Sequence, residues 1–329
     1  MGFVFGPLPS RRLGQSLGVD PLPLKRKVCN WNCIYCQLGR TVPLSNERSE
    51  YFARESILAE VRDALVGHKP GAIDWVTLVG SGETTLHAGI GWLIRQIKNL
   101  TDIPVAVITN GSLLHLQEVR EELRVADAVL SSLDAGNARL YRRINRPWPA
   151  LSYELLLDGL VAFRREYRGQ LWIEVMLMKG INDGEKELQE IAGALLRIGP
   201  DQVHISLPSR PPAETSVQLP DEDRLNRAAA ILGCRARIIQ ASNGTFDLSG
   251  YENAADAVLA IISRHPMQEE QLRRTLERWS PGQVEEALRR LHSSGEAQIV
   301  ERYGKRYWSA AACRYPSCGT STDRADPGS

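Results

Sequence analysis

The sequence predicts an α/β protein, a partial (β/α)6 TIM-like barrel followed by a small C-terminal module. Apolar, β-rich runs alternate with helical patterns over most of the chain, and this alternation is typical of a parallel sheet. The run Pro208–Pro212 interrupts it, and from Ala254 the order becomes three short helices and then a hairpin. We therefore expect a barrel domain over residues 1–253, a winged helix-turn-helix-like domain over residues 254–312 and a disordered tail over residues 313–329.

The individual elements follow from the spacing of the apolar residues. Runs of β-branched and aromatic residues predict strands, and apolar residues that recur every three or four positions predict helices. The predicted barrel strands are Lys25–Cys29, Trp75–Val79, Pro104–Thr109, Ala128–Leu133, Leu171–Met178 and Gln202–Leu207, with a further strand at Ala236–Gln240. The predicted barrel helices are Arg54–Val66, Ile90–Leu100, Leu114–Leu123, Ser152–Glu166 and Glu185–Arg197. The predicted module comprises helices Ala254–Ser263, Gln268–Arg278 and Pro281–Ser294 and strands Ala297–Arg302 and Lys305–Ser309.

Composition indicates an ordinary globular protein. The 329 residues carry a formal net charge of +1, so no general attraction to nucleic acid or membrane is expected. The sequence contains no run of the roughly 18 apolar residues that a membrane span needs, and its N-terminus lacks a basic region followed by an apolar core. We therefore expect a cytoplasmic protein that does not bind membranes. Three of the six cysteines fall within eight residues, which indicates a metal or redox site rather than a disulfide framework.

The cysteine cluster is the most informative segment. Cys29, Cys33 and Cys36 have C-x3-C-x2-C spacing, so one loop supplies three thiolates to a single cluster. Iron–sulfur clusters usually take four thiolates, and three cysteines therefore leave one iron open to a ligand from outside the protein. One alternative is a structural zinc loop, for which the sequence offers no clear second pair of ligands. The other is three unrelated buried cysteines.

This spacing, with Tyr35 directly before the third cysteine, resembles the signature of the radical S-adenosylmethionine (SAM) superfamily. The resemblance implies a [4Fe–4S] cluster bound by Cys29, Cys33 and Cys36, whose open iron chelates SAM, and it implies that Tyr35 lies near the adenine. It also implies reductive cleavage of SAM to methionine and a 5′-deoxyadenosyl radical, which abstracts a hydrogen atom from the substrate. An electron donor such as flavodoxin or ferredoxin is then expected.

Glycines and polar residues follow the next predicted strands. Gly80 and Gly82 come after the strand Trp75–Val79 and let backbone approach a ligand closely. Together with Glu83 they resemble the Gly-Gly-Glu motif of the superfamily, although Ser81 separates the glycines, and the resemblance implies contacts with the methionine amino group of SAM. The alternative is a tight turn with an exposed glutamate. The ends of the following strands carry further candidates for contacts with SAM or substrate: Asn110, Ser131 and Asp134.

Other polar residues are weaker candidates. Arg139–Arg146 carries four arginines in eight residues, which suit a carboxylate or phosphate or form a solvated face. Glu174 lies among apolar neighbours, where a carboxylate needs a partner, and His204 and Ser206 share one face of a strand. We favour the interpretation that His204 and Ser206 are core polar residues whose hydrogen bonds are satisfied. The remaining cysteines are not expected to converge on a second cluster: Cys234, Cys313 and Cys318.

The N-terminal run Gly6–Asp20, the cysteine loop and Gln37–Thr41 resemble a narrower group within the superfamily. This group comprises the iron–sulfur oxidoreductase-like proteins related to the tRNA wybutosine-synthesis radical SAM enzymes. The resemblance covers roughly residues 5–250 and does not specify a substrate.

The C-terminal module bears on the partner. Residues Ala254–Ser309 contain nine Lys or Arg and eight Asp or Glu, and Glu285 and Glu286 begin the predicted recognition helix, which disfavours sequence-specific DNA binding. Similar modules in radical SAM peptide-modifying enzymes hold a leader peptide, which suggests a peptide or protein substrate, whereas the wybutosine-like relationship favours RNA. The remaining alternative is that the module only packs against the open edge of the barrel. An alternative of another class is a non-enzymatic iron–sulfur regulator whose winged helix binds nucleic acid.

Overall fold

An eight-stranded sheet dominates the computed structural model, which describes residues 2–22, 26–239, 246–248 and 250–315. The strands are β1 (Val4–Ser10), β2 (Gly14–Val19), β3 (Trp75–Leu78), β4 (Val105–Thr109), β5 (Ala128–Ser132), β6 (Gln170–Met176), β7 (Gln202–Ser206) and β8 (Ala236–Ile238). Their order in the sheet is their order in the chain. β1 pairs with β2 antiparallel, and β2 to β8 pair in parallel. This parallel α/β arrangement is consistent with the predicted partial TIM-like barrel.

Helices connect the parallel strands, because a parallel pair needs a long crossover connection. The helices are α1 (Arg54–Gly67), α2 (Ile90–Leu100), α3 (Gln117–Leu123), α4 (Ala138–Asn145), α5 (Tyr153–Glu166), α6 (Glu185–Ile198) and α7 (Glu222–Leu232). The stripe of α2 that contains Ile90, Leu93 and Ile97 is fully buried against the sheet side of the core. The apolar stripes pack the crossover helices against the sheet. Because the strands that they connect run in parallel, the carboxyl ends of these strands lie at one edge, where the site forms.

The first barrel strand differs from the prediction. The sequence predicts Lys25–Cys29, but the first parallel strand is β2, and Val28 makes only an isolated bridge to Gly82. Lys25 itself lies outside the described residues. The glycines of β2 lower its strand propensity, so the sequence did not predict this strand. One of them is required by packing, because a Cβ on Gly18 would lie 2.2 Å from the ring of Phe5.

Two helices were not predicted, because their sequences are short or strongly charged. α4 contains the predicted arginine segment, and α7 lies in the stretch for which the sequence predicts no regular structure. α3 begins at Gln117 rather than at Leu114. The remaining predicted barrel helices agree with the structure to within one residue at each end. The last residue of the predicted strand Ala236–Gln240 lies outside the described residues.

The C-terminal module has its own apolar core, separate from that of the barrel. Its elements are α8 (Ala254–Ile262), β9 (Met267–Gln268), α9 (Glu269–Thr275), α10 (Pro281–Ser293), β10 (Ala297–Arg302) and β11 (Lys305–Ala310). β11 lies between β10 and β9 in a three-stranded antiparallel sheet. A capping box at Ser280 and Gln283, followed by Pro281, starts α10.

The module packs onto the open side of the barrel. The Gln37 side chain donates a hydrogen bond to the Arg264 carbonyl (3.1 Å), and the Tyr307 hydroxyl donates to the Ser209 carbonyl (3.2 Å). The Arg40 amide donates to the Arg314 carbonyl (2.8 Å). Ordered chain therefore continues beyond residue 312, where the sequence predicts the tail to begin, and the predicted disorder of residues 316–329 falls outside the described residues.

Candidate active site

The three clustered cysteines lie on the loop between β2 and α1, above the carboxyl ends of the parallel strands. Cys29 and Cys33 are buried, Cys36 is half-buried, and all three thiols are free. Between them, the indole of Trp31 is fully buried and packs edge-on against Tyr141, with 5.3 Å between the ring centroids. This apolar anchor fixes the middle of the loop and leaves the thiols on either side of it.

Backbone hydrogen bonds attach the same loop to the end of α4. The Asn32 amide donates to the Asn145 carbonyl (2.9 Å), and the Ile34 amide donates to the Ile144 carbonyl (2.9 Å). These carbonyls belong to the last turn of the helix, where no intrahelical donor is available to them. The cysteine loop thus completes the C-terminus of α4 and takes its position from it.

N–H groups face two of the cysteine sulfurs. Cys29 Sγ accepts from the Trp31 amide (3.4 Å) and from Asn110 Nδ2 (3.9 Å). Cys33 Sγ accepts from Asn145 Nδ2 (3.7 Å). Donors directed at sulfur stabilise thiolates, and they tune the reduction potential of an iron–sulfur cluster. The surroundings of these two cysteines therefore suit metal-bound thiolates.

Burial opposes ionisation of these thiols when no metal is bound. It raises the pKa of Cys29 to about 12, although Lys27 acts in the opposite direction, and it raises the pKa of Cys33 well above its ordinary value. Burial also opposes the charge of Lys27, but the neighbouring Cys36 and Cys29 outweigh that effect and raise its pKa. Metal binding would replace the thiol protons, so cluster assembly at this loop is coupled to proton release.

The donor set fits a multi-iron cluster better than a single ion. Within the described ranges, no three His, Cys, Asp or Glu side chains converge as the ligands of one metal ion do. A four-iron cluster takes each thiolate on a different iron, so its ligands lie farther apart, and three soft sulfur ligands suit iron–sulfur chemistry. Structural zinc sites take four protein ligands, whereas this loop supplies three cysteines.

Gly80 and Gly82 form the next part of the site, immediately after β3. The Val28 amide donates to the Ser81 carbonyl (3.0 Å), and the Glu83 amide donates to the Val28 carbonyl (2.9 Å). Gly82 has φ +149°, and a Cβ there would lie 1.6 Å from the Val28 carbonyl oxygen. Only glycine allows this contact, so the glycine loop and the cysteine loop are held together backbone to backbone.

Glu83 is buried and its carboxylate is hydrogen-bonded by the chain itself. It accepts from the Thr109 hydroxyl (2.5 Å), the Asn110 amide (2.6 Å) and the Thr85 amide (3.0 Å). Burial raises its pKa, and these hydrogen bonds oppose that rise. The alternative interpretation of a tight turn with an exposed glutamate is therefore wrong, and Glu83 joins the ends of β3 and β4. Its contact with SAM stays a prediction.

Asp134 and Tyr35 are brought together. The Tyr35 hydroxyl donates to Asp134 Oδ2 (2.6 Å), and the same oxygen accepts from Asn145 Nδ2 (2.8 Å). The Met176 amide donates to Asp134 Oδ1 (2.9 Å). Burial raises the pKa of Asp134 to about 6, although these donors act in the opposite direction. Asp134 thus orients the residue beside Cys36, and the predicted contact of either residue with SAM is not tested.

The two remaining candidates differ in how their polar atoms are used. Asn110 donates to the Asn30 side-chain oxygen (2.8 Å) and accepts from the Ser112 amide (2.9 Å), in addition to its contact with Cys29. The Ser131 hydroxyl is buried and has no hydrogen-bond partner among the described residues. Of the two, Ser131 has the polar atom still available to a ligand.

The residues Asp20 and Arg264 were not predicted as part of the site. Asp20 is fully buried and accepts from the Ser81 amide (3.0 Å) and the Ser81 hydroxyl (2.5 Å). Arg264, on the loop after α8, donates to Asp20 Oδ2 through Nε (3.3 Å). Ser81, the departure from the superfamily motif, is therefore the point at which the C-terminal module is connected to the glycine loop. Asn30 and Asn145 were also missed, because their partners are distant in sequence.

A cavity of about 360 Å³ lies below the cysteine loop, inside the curved sheet. Tyr35 and Cys36 line its top, and Thr77, Ile108 and Met176 line its wall. The other predicted site residues lie beside this cavity, at the strand ends, rather than on its lining. The lining also includes a group of charged and polar residues: Arg11, Arg12, Glu174, Ser206, Arg210 and His265.

The weaker candidates differ in their partners and in their exposure to solvent. Glu174 forms an ion pair with Arg12 and accepts from the Ser206 hydroxyl (2.6 Å). His204 is buried beside Trp172, away from the cavity lining, with 5.3 Å between the ring centroids. Arg146 is ion-paired with Glu214 (2.6 Å), and the other arginines of α4 are solvent-exposed. Cys234 is exposed and Cys313 is buried in the module, and Cys318 lies outside the described residues.

The parallel α/β sheet and the three free cysteines above its strand ends agree with an α/β protein that binds an iron–sulfur cluster. The family model for the Radical SAM superfamily matches residues 27–192, and the chain belongs to this superfamily. Its members are enzymes that use a [4Fe–4S] cluster and SAM, which are therefore the cofactors of this chain. The alternative of a non-enzymatic regulator does not agree with this membership. None of the helices in the described ranges combines the length and apolar character needed to cross a bilayer.

Relatives extend the similarity over most of the chain. UPF0026 protein MJ1312 of Methanocaldococcus jannaschii is 34% identical over 283 residues, which cover 84% of this chain and 86% of that protein. A UPF0026 protein of Helicobacter pylori is 34% identical over 270 residues, covering 82% and 86%. A protein named GTPase Obg, from Brachyspira hyodysenteriae, is 41% identical over 225 residues, which cover 68% of this chain and 32% of that protein. The match thus spans about a third of the length of that relative.

One solved structure supports the fold. The crystal structure of a radical SAM methyltransferase from Sphaerobacter thermophilus has a TM-score of 0.51 to this chain at 20% identity, and the match covers 70% of this chain and 67% of that one. At this identity the similarity concerns the fold alone.

Proposed function

We propose that the protein reductively cleaves SAM at a [4Fe–4S] cluster bound by Cys29, Cys33 and Cys36, and that the resulting radical modifies a substrate in the barrel. When bound, the cluster supplies one electron to SAM, and the product is a 5′-deoxyadenosyl radical that abstracts a hydrogen atom. The proposal rests on one observation: three free cysteines share a loop whose sulfurs face N–H donors and whose backbone is bonded to the glycine loop.

The chain offers SAM contacts of two kinds. The Gly82 backbone approaches the Val28 carbonyl where a side chain would not fit, a Cβ on Gly80 would lie 2.5 Å from the Leu22 side chain, and Ser131 keeps a free buried hydroxyl. Asn110 contacts Cys29 and Asn30 through its side chain and Glu83 through its backbone amide. Glu83 and Asp134 accept hydrogen bonds from the chain and so hold the strand ends and Tyr35 in place, and their contacts with SAM stay predictions.

The module over residues 254–312 is, in this proposal, a winged helix-turn-helix-like cover that excludes water from the cavity. Its contacts with Gln37 and Ser209 support this role, because both residues border the cavity mouth. Charge does not favour DNA: Glu285 and Glu286 near the start of α10 are ion-paired with Arg273 and Arg289. The predicted substrates, RNA or a peptide or protein, and the electron donor, flavodoxin or ferredoxin, stay predictions.

The test is anaerobic. The protein is reconstituted with iron and sulfide, reduced with dithionite and given SAM, and 5′-deoxyadenosine is measured by mass spectrometry. We expect its formation by the wild-type protein and its loss in Cys33→Ala. Cys234→Ala is the matched control, because this cysteine is exposed and not part of the loop, and it should retain both iron and activity. A complete cluster that never cleaves SAM would contradict the proposal. Replacing dithionite by reduced flavodoxin tests the electron donor.

A further inference from the structure

The cavity contains more positive than negative charge. Three guanidinium groups line it, those of Arg11, Arg12 and Arg210, and Glu174 is the only carboxylate among its described lining residues. Arg11 and Arg12 lie in the turn between β1 and β2, whereas Arg210 lies in the loop after β7. Elements that are distant in the chain thus place arginines in one cavity, which is costly unless anionic groups compensate for the charge.

Glu174 is ion-paired with one arginine only, although its charge also acts on Arg11. It forms its ion pair with Arg12, and Ser206 supplies a further hydrogen bond. Burial opposes the ionisation of Glu174, but Arg12 and Ser206 outweigh that effect and lower its pKa. The carboxylate is therefore ionised at neutral pH and committed to Arg12. This pair is a fixed part of the cavity wall.

Arg11 and Arg210 have neutral partners and no carboxylate partner in the described parts of the chain. Arg11 donates to the Ser209 hydroxyl (3.1 Å), and Arg210 donates to Gln37 Oε1 (2.7 Å) and faces His265 Nδ1 (3.2 Å). Burial and the neighbouring Arg210 and Arg264 hold the pKa of His265 well below its ordinary value, so this ring stays neutral. Burial, Arg11 and Arg12 lower the pKa of Arg210 to about 10, which leaves it charged at pH 7. Two guanidinium groups are thus left without an ion-pair partner among the described residues.

We infer that Arg11 and Arg210 bind a phosphate group of the substrate. Two guanidinium groups without an ion-pair partner match the charge of a phosphate monoester, about −1.5 to −2 at pH 7, better than that of a single carboxylate. Planar guanidinium groups also suit the bidentate geometry of phosphate oxygens. Arg11 reaches toward Ser209, beside Arg210, so one group can contact both residues. The cavity size lies at the lower end of small-molecule sites, which suits one nucleotide-sized group.

These arginines lie apart from the proposed SAM contacts at the ends of β3 and β4, although Tyr35 and Cys36 line the same cavity. Gly80, Gly82 and Asn110 lie at the ends of β3 and β4 and do not line the cavity, whereas Arg11 and Arg210 face it from the β1–β2 turn and the loop after β7. The inference rests on the proposed function only in assigning the phosphate to the substrate. The other source of an oxyanion is the carboxylate of SAM, and the experiment distinguishes the two.

Binding is measured on the reconstituted, unreduced protein, so that no turnover is needed. Inorganic phosphate is titrated and followed by 31P NMR line width at fixed ionic strength, with acetate as a competitor, and SAM binding is measured separately by equilibrium dialysis. The variants are Arg11→Gln and Arg210→Gln. Arg142→Gln is the matched control, because Arg142 is a solvent-exposed arginine on α4. Circular dichroism and thermal unfolding establish that each variant is folded.

We expect saturable phosphate binding that each of the two variants weakens by about tenfold, while the affinity for SAM changes by less than about twofold and Arg142→Gln has no effect. The inference is overturned if phosphate does not bind, if acetate competes as well as phosphate does, or if the two variants lose SAM and not phosphate. Neither binding assay requires SAM cleavage. An absence of 5′-deoxyadenosine would therefore count against the proposed function, and the phosphate-binding result could still be interpreted.

Discussion

Arg264 of the C-terminal module and Asp20 of the barrel form a buried ion pair, with 3.3 Å between Nε and Oδ2. The guanidinium group also stacks over the ring of Phe5, with 4.2 Å from its Cζ to the ring centroid. The second partner of Asp20 is Ser81, within the glycine loop. The module is therefore coupled through two contacts to the loop that the proposed function assigns to SAM.

We predict that Asp20→Ala destabilises the protein by about 3–5 kcal/mol, because it leaves Arg264 buried without a counter-charge. The same change should weaken SAM binding, since Ser81 loses the acceptor that fixes its position. Urea unfolding measures the first effect, and equilibrium dialysis of SAM measures the second.

A surface pair provides the control for this prediction. Asp158 and Arg197 are both mostly exposed and lie 3.2 Å apart. Asp158→Ala should change stability by less than about 1 kcal/mol and leave SAM binding unaltered. Equal effects of the two substitutions would show that Asp20 has no special role in the glycine loop.

Gly82→Ala should prevent normal cluster assembly. Its new Cβ would lie 1.6 Å from the Val28 carbonyl oxygen, so the backbone next to Cys29 must move. We expect iron content well below that of the wild type after reconstitution. Gly180→Ala is a matched control, because Gly180 also has positive φ (+67°) but open space around its Cα; it should cost about 1 kcal/mol and retain the cluster. Full iron loading of Gly82→Ala would contradict the prediction.

Asn145→Ala should lower the reduction potential of the cluster by roughly 50 mV. The substitution removes the N–H donor that faces Cys33 Sγ, and this donor favours the reduced cluster, which carries the more negative charge. A potentiometric titration monitored by EPR measures the shift. Asn137→Ala serves as the control: Asn137 caps the start of α4 through the Leu140 amide (2.9 Å) and does not contact the sulfurs. It should lower stability by about 1 kcal/mol at an unchanged potential.

His204 should make stability depend on pH. Burial, with a further contribution from Arg12, lowers its pKa to about 4 in the folded protein. The unfolded chain binds a proton below pH 6.5 and the folded chain does not, so stability decreases as pH falls from 6.5 to 4, by up to about 3 kcal/mol. His204→Gln should reduce this slope in urea unfolding experiments at pH 5 and pH 7.5. Burial also lowers the pKa of His87, and burial with Arg210 lowers that of His265, so part of the slope should persist. An unchanged slope in His204→Gln would refute the assignment.

The local sequence pattern predicted those elements that depend mainly on residues close together in the chain. The boundaries of α2 were predicted correctly, because its apolar stripe recurs at helical spacing, and the cysteine loop was identified from ligand spacing alone. β2 was missed, since Gly18 is required by contact with Phe5 rather than by strand propensity. The pair of Asp20 and Arg264 joins residues far apart in the chain, and nothing in the local sequence of either residue indicates the other.

The cavity illustrates the same limit. The segment with four arginines in eight residues was interpreted as an anion site or as a solvated face, and the exposure of Arg139, Arg142 and Arg143 agrees with the solvated face. Arg11 and Arg210 are inconspicuous in sequence and meet only because the β1–β2 turn and the loop after β7 enclose the same space. Such convergence depends on the tertiary path of the chain.

The pairing of Arg40 with Arg314, together with the hydrogen bond from the Tyr315 hydroxyl to the Gln37 carbonyl, has a consequence for biosynthesis. The cysteine loop leaves the ribosome early, whereas the segment that covers it is among the last described residues to be translated. The contacts between these two segments therefore form only after residues 314 and 315 have been translated, so the cysteine loop is synthesised long before this segment can pack against it.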